Sequence, residues 1–199
     1  MSRFPAIVCA AGASSRCPEG KLFKLWRDKP LLLWLLETLA SHPKLDRILL
    51  ICGERMDEVK DLSQAFSGTE THFNADWAEG ISSSLRLGER LLPPGNGFLV
   101  ALGDTPLFRS ETLDRVLPDD GQTSVNIPTY QGQSGHPVYV PEWAREDWRT
   151  LQGDQGAKQL FSRWGVRVRT IPVQDRGVVR DFDRLEDFQE QPALEEAVG

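Results

Sequence analysis

A short stretch near the amino end has the composition of a phosphate grip. The apolar run Ala6 to Ala11 predicts a buried strand, and it breaks at once into the small-residue loop Ala10-Ala11-Gly12-Ala13-Ser14-Ser15. Arg16 and Lys21 follow. Small residues let backbone N–H groups come close to a phosphate chain. The two cations then offset its charge, Arg16 by paired hydrogen bonds and Lys21 as a point charge. Two better-known phosphate loops are excluded. A Walker loop needs Ser or Thr after Gly-Lys, but Gly20-Lys21 is followed by Leu22; a dinucleotide fingerprint needs three spaced glycines, and Gly12 stands alone until Gly20. The plain alternative is a tight strand-to-helix turn with incidental charges.

Carboxylates come next. Asp104 directly follows the apolar segment Gly97 to Gly103, which fixes it at a strand end. Mg²⁺ takes one or two carboxylates together with phosphate oxygens, and an Asp at a strand tip suits that use. A turn or helix-cap Asp before Thr105-Pro106 is the alternative. A second acidic group, Asp181, Asp183, Glu186 and Asp187, precedes a short apolar-patterned segment. Acids complementing a helix N-terminus would explain Glu186 and Asp187. The segment Asn74 to Leu85 places Gly80 and Ser82-Ser83-Ser84 at a helix start. Free N–H groups and short hydroxyls there can meet an anion or a base edge; ordinary capping by Ser82 or Ser83 is equally open. Two polar loops remain, Gly132 to Pro137 with Gly135 and His136, and Gly153 to Lys158 with Asp154. His136 could be a rigid turn residue before Pro137, and Asp154 a plain helix cap.

These residues need a scaffold, and strand-like and helix-like patterns alternate along the chain. Helices are expected over Leu31–Leu39, Met56–Phe66, Ile81–Leu92, Glu111–Val116 with Ser110 as cap, Pro141–Leu151 and Gln155–Trp164, with a last one starting at Leu185. Strands are expected over Arg47–Cys52, Thr71–Phe73, Gly97–Leu102 and Val166–Val173. Ser124–Ile127 and Pro137–Val140 predict a hairpin around a polar, Gly-containing turn. The alternation predicts an α/β fold, a single three-layer domain with a mostly parallel, Rossmann-like central sheet and a small β-hairpin excursion. Ligands in such folds sit beyond the carboxyl ends of the strands, so the first loop and Asp104 should meet at one edge.

The chain has 199 residues, enough for one domain with a real core, and its tail from Glu190 is expected to fray. A net charge of -6 and no Lys/Arg-rich run argue against general nucleic-acid binding. No apolar stretch reaches membrane-span length, and no secretory pattern opens the chain, so a cytoplasmic protein is expected. Cys9, Cys17 and Cys52 form neither a zinc spacing nor a disulfide frame. Cys9 and Cys52 are expected to be buried at strand ends, and Cys17 to lie in the loop.

Taken in order, these segments resemble the MobA-like nucleotidyltransferases. The similarity rests on Ala10-Ala11-Gly12 with Ser14, Arg16 and Lys21, Lys29-Pro30-Leu31-Leu32, Trp77 to Leu85, Gly103-Asp104-Thr105-Pro106, Gly135-His136-Pro137 with Gly153-Asp154-Gln155-Gly156, and Asp181 to Asp187. The closer likeness is to the molybdenum cofactor cytidylyltransferase (MocA-like) branch, because of Ala-Ala-Gly where guanylyltransferases more often have Ala-Gly-Gly, and because of Trp77-x-x-Gly80 with Ser84-Leu85. The resemblance implies transfer of CMP from CTP to the phosphate of molybdopterin cofactor, with pyrophosphate leaving. GTP, or another small phosphorylated acceptor, is the enzymatic alternative; a non-catalytic nucleotide or molybdopterin carrier is the other. It implies catalytic roles for Arg16, Lys21 and Asp104, and Mg²⁺ held by Asp104 and Asp183, with Asp181 as runner-up. Nucleotide contacts fall on Ala10, Ala11, Gly12, Asn74, Gly80 and Ser84, and acceptor contacts on Gly135, His136 and Asp154. A molybdoenzyme or its accessory protein is a possible partner on this reading. Three departures stand out: Thr105 for the usual Met, Phe182, Arg184 and Leu185 for Ile, Thr and Pro, and Cys17-Pro18 for Met-Gly. Proline fixes φ and removes an N–H, so the first loop must differ from the family's there.

Overall fold

Three central strands carry two apolar faces each, and this decides the architecture. In β1 (Phe4–Ala10), Ala6, Val8 and Ala10 pack into one hydrophobic cluster while Ile7 packs into another. Side chains alternate across a strand, so a continuous apolar run can be buried only between two layers. The computed structural model describes residues 3–11, 20–119, 123–154 and 156–189. Within these, β1 is followed by a small hairpin, β2 (Leu25–Trp26) and β3 (Lys29–Pro30), then α1 (Leu31–Ala40), β4 (Leu45–Cys52), α2 (Met56–Ser63), β5 (Thr69–Phe73) and α3 (Ile81–Leu91). The chain continues with β6 (Phe98–Leu102), α4 (Ser110–Val116), β7 (Val125–Tyr130), β8 (Gln133–Ser134), β9 (Val138–Val140), α5 (Arg145–Trp148), α6 (Lys158–Trp164) and β10 (Val168–Pro172).

The main sheet runs β10-β7-β9-β6-β1-β4-β5, with β8 paired to β7. β6, β1, β4 and β5 are mutually parallel, as are β7 and β10, and β9 is antiparallel to both of its neighbours. Leu32, Leu35, Leu36 and Leu39 of α1, Val59 of α2 and Leu113 and Val116 of α4 cover one face. Leu85 of α3, Trp148 of α5 and Leu160 and Trp164 of α6 cover the other. The expected α/β fold with a mostly parallel sheet between helices is therefore what forms.

Several local expectations change. The two runs expected to make a hairpin are β7 and β9, antiparallel as foreseen, but both belong to the main sheet; the hairpin that stands apart is β2–β3, turning through Arg27 and Asp28 at φ 49° and 65°. The expected helix over 141–151 is a 3-10 turn, Glu142–Ala144, followed by the short α5. Leu185–Phe188 is likewise a 3-10 turn only. Ser110 is the first residue of α4, and the cap position falls to Arg109, whose guanidinium has no acceptor to cap with; the Arg109 N–H itself donates to Asp175 Oδ2 at 2.7 Å. Cys52 is buried and Cys9 half-buried; burial, joined at Cys9 by the Asp104 charge, pushes both thiols up to about 12, so neither is a nucleophile near neutral pH. Cys17 and the tail from Glu190 lie outside the described residues.

Candidate active site

Asp104 is carried two residues past the end of β6, beside the tip of β1. The Gly103 N–H donates to the Cys9 carbonyl at 3.0 Å, which ties the two strand ends together. A Cβ on Gly103 would come within 2.8 Å of Leu22 Cδ2, so a glycine here lets Leu22 pack against the strand end. Leu22 in the core holds its neighbour Lys21 at the same place. The Lys21 ammonium lies 2.5 Å from Asp104 Oδ2 and 3.1 Å from Asp183 Oδ1. Residues 83 and 162 positions away are thus joined by one cation. Burial pulls the Lys21 pKa down, but Asp104 and Asp183 more than offset this and hold it above its ordinary value.

The segment carrying Asp183 is fixed by alternation. Phe182 is fully buried against Trp26 and Leu31, with ring centroids 5.9 Å from Trp26 and 5.0 Å from Phe188. Its N–H donates to the Asp104 carbonyl at 2.9 Å. Asp181 and Asp183, on either side of it, face away from that packing. The Thr105 hydroxyl donates to Asp181 Oδ1 at 2.8 Å. The Asp181 carboxyl is pushed up by partial burial, with Asp104 and Asp183 adding to it, while the Thr105 hydroxyl and Lys21 oppose the rise. Asp187 is structural, as expected: its Oδ2 accepts from the N–H groups of Asp183 (2.8 Å) and Arg184 (2.6 Å) and holds the bend.

His136 also reaches this centre. Its N–H donates to the Val178 carbonyl at 2.8 Å, and the Gly135 N–H to the Pro128 carbonyl at 2.9 Å. The residue is half-buried, but its Nδ1 is shut off from solvent with no hydrogen-bond partner among the described residues. Desolvation drops its pKa to about 4, against contrary contributions from the Val100 carbonyl and Asp104, with Lys158 lowering it further. The imidazole is neutral near pH 7 and feels the Asp104 charge.

The base-side candidates gather around the end of β1 and the start of α3. Ala10 ends β1 and Ala11 follows it, both nearly buried; the Ala11 carbonyl and the Trp77 ring close over Gly53. Gly80, at φ 103°, starts α3, and a Cβ there would meet the Gly153 carbonyl at 3.0 Å. Asp154 Oδ1 accepts from the Ile81 N–H at 3.4 Å. Asp154 therefore caps α3, not its own helix, and joins Gly80; Gly135 and His136 pack on Val178, and His136 feels the Asp104 charge. The two loops expected to face an acceptor are close enough for the Lys158 charge to act on His136. Capping by the serines does not occur: Ser83 donates to the Gly80 carbonyl at 2.8 Å, and the Ser82 hydroxyl is buried without a partner among the described residues. The Asn74 amide donates to Ser83 Oγ (2.8 Å) and Ser84 Oγ (3.0 Å), and all three residues are buried. Asn74 and Ser84 thus brace the start of α3 from behind rather than facing outward. Gly12 and Arg16 lie outside the described residues.

Two carboxylates and a lysine thus meet at the carboxyl edge of the sheet, and the chain carrying them matches a family. A model of the MobA-like NTP transferase domain fits residues 6–168. The chain belongs to this family. It is therefore a nucleotidyltransferase, and the family implies a nucleoside triphosphate and a phosphorylated acceptor as substrates. The chain is 27% identical over 193 residues to the molybdenum cofactor cytidylyltransferase of Escherichia coli (strain K12), covering 94% of this chain and 95% of that one. The crystal structure of Rv0371c from Mycobacterium tuberculosis H37Rv is similar with a TM-score of 0.79 at 25% identity, covering 94% of this chain and 96% of that one. A structure of Rv0371c in complex with manganese is similar with a TM-score of 0.75 at 25% identity, over 94% and 97% of the two chains. No helix among the described residues of this MobA-like transferase is long and apolar enough to cross a membrane.

The donor set fits a hard divalent cation. Among the described residues no group of three or more His, Cys, Asp or Glu side chains forms a closed metal cage. Asp104 and Asp183, drawn onto the same ammonium, are the carboxylates that could hold a divalent cation of the kind that takes one or two carboxylates with phosphate oxygens.

Proposed function

We propose that this MobA-like transferase moves CMP from CTP to the phosphate of a molybdopterin acceptor and releases pyrophosphate. The observation that carries the reading is the Lys21 ammonium set between Asp104 and Asp183 beside the tip of β1. The likeness to the Escherichia coli cytidylyltransferase over nearly the whole chain supports the choice of substrates. In the reaction an acceptor phosphate oxygen bonds to the α-phosphorus of CTP as the bond from that phosphorus to the β-phosphate bridge breaks. The nucleophile is already anionic, so no strong base is required, and catalysis is positioning and charge stabilisation.

On this reading Lys21, and Arg16 from the first loop, stabilise negative charge on the transferring and leaving phosphates. Asp104 and Asp183 would hold magnesium, which supplies charge neutralisation on phosphate oxygens when bound. Neutral His136 and Gly135 would line the acceptor side, with Gly135 letting the chain pass close to the Val178 carbonyl. Gly80 and Asp154 shape the start of α3 against which the base would lie, with Asn74 and Ser84 bracing it. Ala10, Ala11 and Gly12 present backbone to the triphosphate. One cytoplasmic domain performs all of this.

Pyrophosphate release tests the proposal. Purified protein is given Mg²⁺, molybdopterin and each of CTP, GTP, ATP and UTP in turn. Release with CTP alone is expected. Release with GTP alone would replace cytidylyl by guanylyl transfer, and no release from folded protein with any nucleotide would overturn the acceptor assignment.

A further inference from the structure

One tryptophan stands apart from the rest. The chain has six. Trp26, Trp34, Trp143, Trp148 and Trp164 each lie against another aromatic ring, with centroids 5.1 to 6.5 Å apart. Among the described residues Trp77 has no ring partner, belongs to none of the hydrophobic clusters, and makes no hydrogen bond through its indole N–H. Its backbone is nonetheless fixed. The Asn74 N–H donates to the Cys52 carbonyl at 2.8 Å, which ties the turn to the tip of β4. The Asp76 N–H donates to Asn74 Oδ1 at 3.1 Å, and the Trp77 N–H to the Asn74 carbonyl at 3.3 Å. A Cβ on Gly53 would meet the Ala11 carbonyl oxygen at 3.1 Å and Trp77 Cγ at 3.2 Å, so the indole sits where the tips of β1 and β4 come together. The residue stays partly exposed. A tryptophan in a core gains from burial and from neighbouring rings; this one is held at the carboxyl edge of the sheet without ring neighbours. An aromatic surface fixed there suits a flat ligand with a π face.

We infer that Trp77 stacks against the nucleobase of the bound nucleoside triphosphate. The inference rests on the reading that Ala10, Ala11 and Gly12 hold the triphosphate and that the start of α3 meets the base. Candidates for both parts adjoin the ring: the Ala11 carbonyl closes on Gly53 with it, and Gly80 follows it by one 3-10 turn. Every base has a π face, so the stack supplies affinity, while the choice of base falls to groups that meet its edge.

The test is titration calorimetry of the full chain with Mg²⁺ and CTP, beside inorganic tripolyphosphate, a probe with phosphates and no base. Trp77→Leu keeps an apolar side chain on Gly53 and removes the ring. It is expected to weaken CTP about tenfold or more, as loss of one base–aromatic stack does, and to leave tripolyphosphate unchanged. Trp77→Phe restores a π face and is expected to bind CTP within about threefold of wild type. CTP should also quench the tryptophan emission of the wild type more than that of Trp77→Phe, a comparison that stands even if Trp77→Leu does not fold. Unchanged CTP affinity in Trp77→Leu overturns the inference, as does equal quenching in wild type and Trp77→Phe. So do equal losses for CTP and tripolyphosphate, which would make Trp77 a support of the phosphate loop, and so does a Trp77→Phe chain as weak as Trp77→Leu. GTP in place of CTP separates the stack from CMP transfer. A wild type that binds GTP alone, and loses it in Trp77→Leu, overturns the choice of CTP and upholds the stack; a wild type that binds no nucleotide overturns the stack.

Discussion

Replacing Lys21 by Met removes one cation from among three carboxylates and keeps the apolar stem. The ammonium is 2.5 Å from Asp104 and 3.1 Å from Asp183, with 18% of the lysine side chain, 26% of the Asp104 side chain and 50% of the Asp183 side chain exposed. An unscreened pair at the protein surface interacts by about 4 kcal/mol, an upper bound. The half-exposed Asp183 contact is screened to less than about 1 kcal/mol. The Asp104 contact, better buried, retains on the order of 2 kcal/mol after desolvation is subtracted. Lys21→Met should then cost roughly 2 kcal/mol without metal, a fall in Tm of about 4–8 °C for a chain of this size. The same reasoning predicts the opposite effect on metal binding. With the ammonium gone, Asp104, Asp181 and Asp183 repel one another and no cation competes for them, so Mn²⁺ should raise the Tm of the variant more than that of the wild type. An affinity gain of about tenfold corresponds to an extra ~1.4 kcal/mol of ligand-linked stabilisation. Thermal melts with and without Mn²⁺ measure both. A metal-free Tm within about 1 °C of wild type, well under the shift expected here, or an equal Mn²⁺ shift in the two proteins, would show that Lys21 does not hold the carboxylates together.

Other expectations concern the supports of the site. Phe182→Leu should cost about 1–2 kcal/mol and weaken Mn²⁺ binding, because the ring that fixes Asp181 and Asp183 no longer fits against Trp26 and Phe188; unchanged Mn²⁺ affinity in a destabilised variant would separate the anchor from the site. Glu89, fully buried, pairs with Arg145 at 2.9 Å and Arg149 at 2.8 Å across α3 and α5. Glu89→Ala takes the Nε partner from the buried Arg145, which keeps Glu142 and the Pro93 and Leu92 carbonyls, and should cost about 1–3 kcal/mol in urea unfolding; no measurable loss would contradict the pairing. His136 has its pKa lowered to about 4 in the folded chain, with Asp104 and Lys158 as the charged groups acting on it. The unfolded chain therefore takes up this proton first as pH falls, and the stability present above pH ~6.5 is lost progressively toward pH ~4. His136→Gln should flatten that slope, and an identical slope in the variant would refute the assignment.

The alternation of strand and helix, the parallel sheet and the placing of Asp104 at a strand tip were legible in the chain because they depend on local pattern. Periods of two and of three to four residues report which faces are apolar, and β1, β4 and β6 are apolar on both faces. Short elements were less legible. Four helical residues at α5, or the two-residue strands of the β2–β3 hairpin, contain too little repeat to separate from loop. The serines at the start of α3 illustrate a different limit. Local chemistry favours Ser82 or Ser83 as caps, but the pairing of Asn74 with Ser83 and Ser84, and Asp154 at the Ile81 N–H, replace that pattern with contacts from distant segments.

By itself the sequence determined the fold class, the family and the residue types able to handle a triphosphate, since motif spacing and apolar period are properties of neighbours along the chain. Tertiary structure alone decided which of these residues meet. Asp183 joins Asp104 because Phe182 is buried and its N–H bonds to the Asp104 carbonyl, and Asp154 joins Gly80 because α3 needs a partner for its first N–H. Trp77 stands beside Ala11 because both close on Gly53, just past the end of β4. Burial and hydrogen-bond satisfaction act between segments with no fixed separation in sequence, so no local spacing records them.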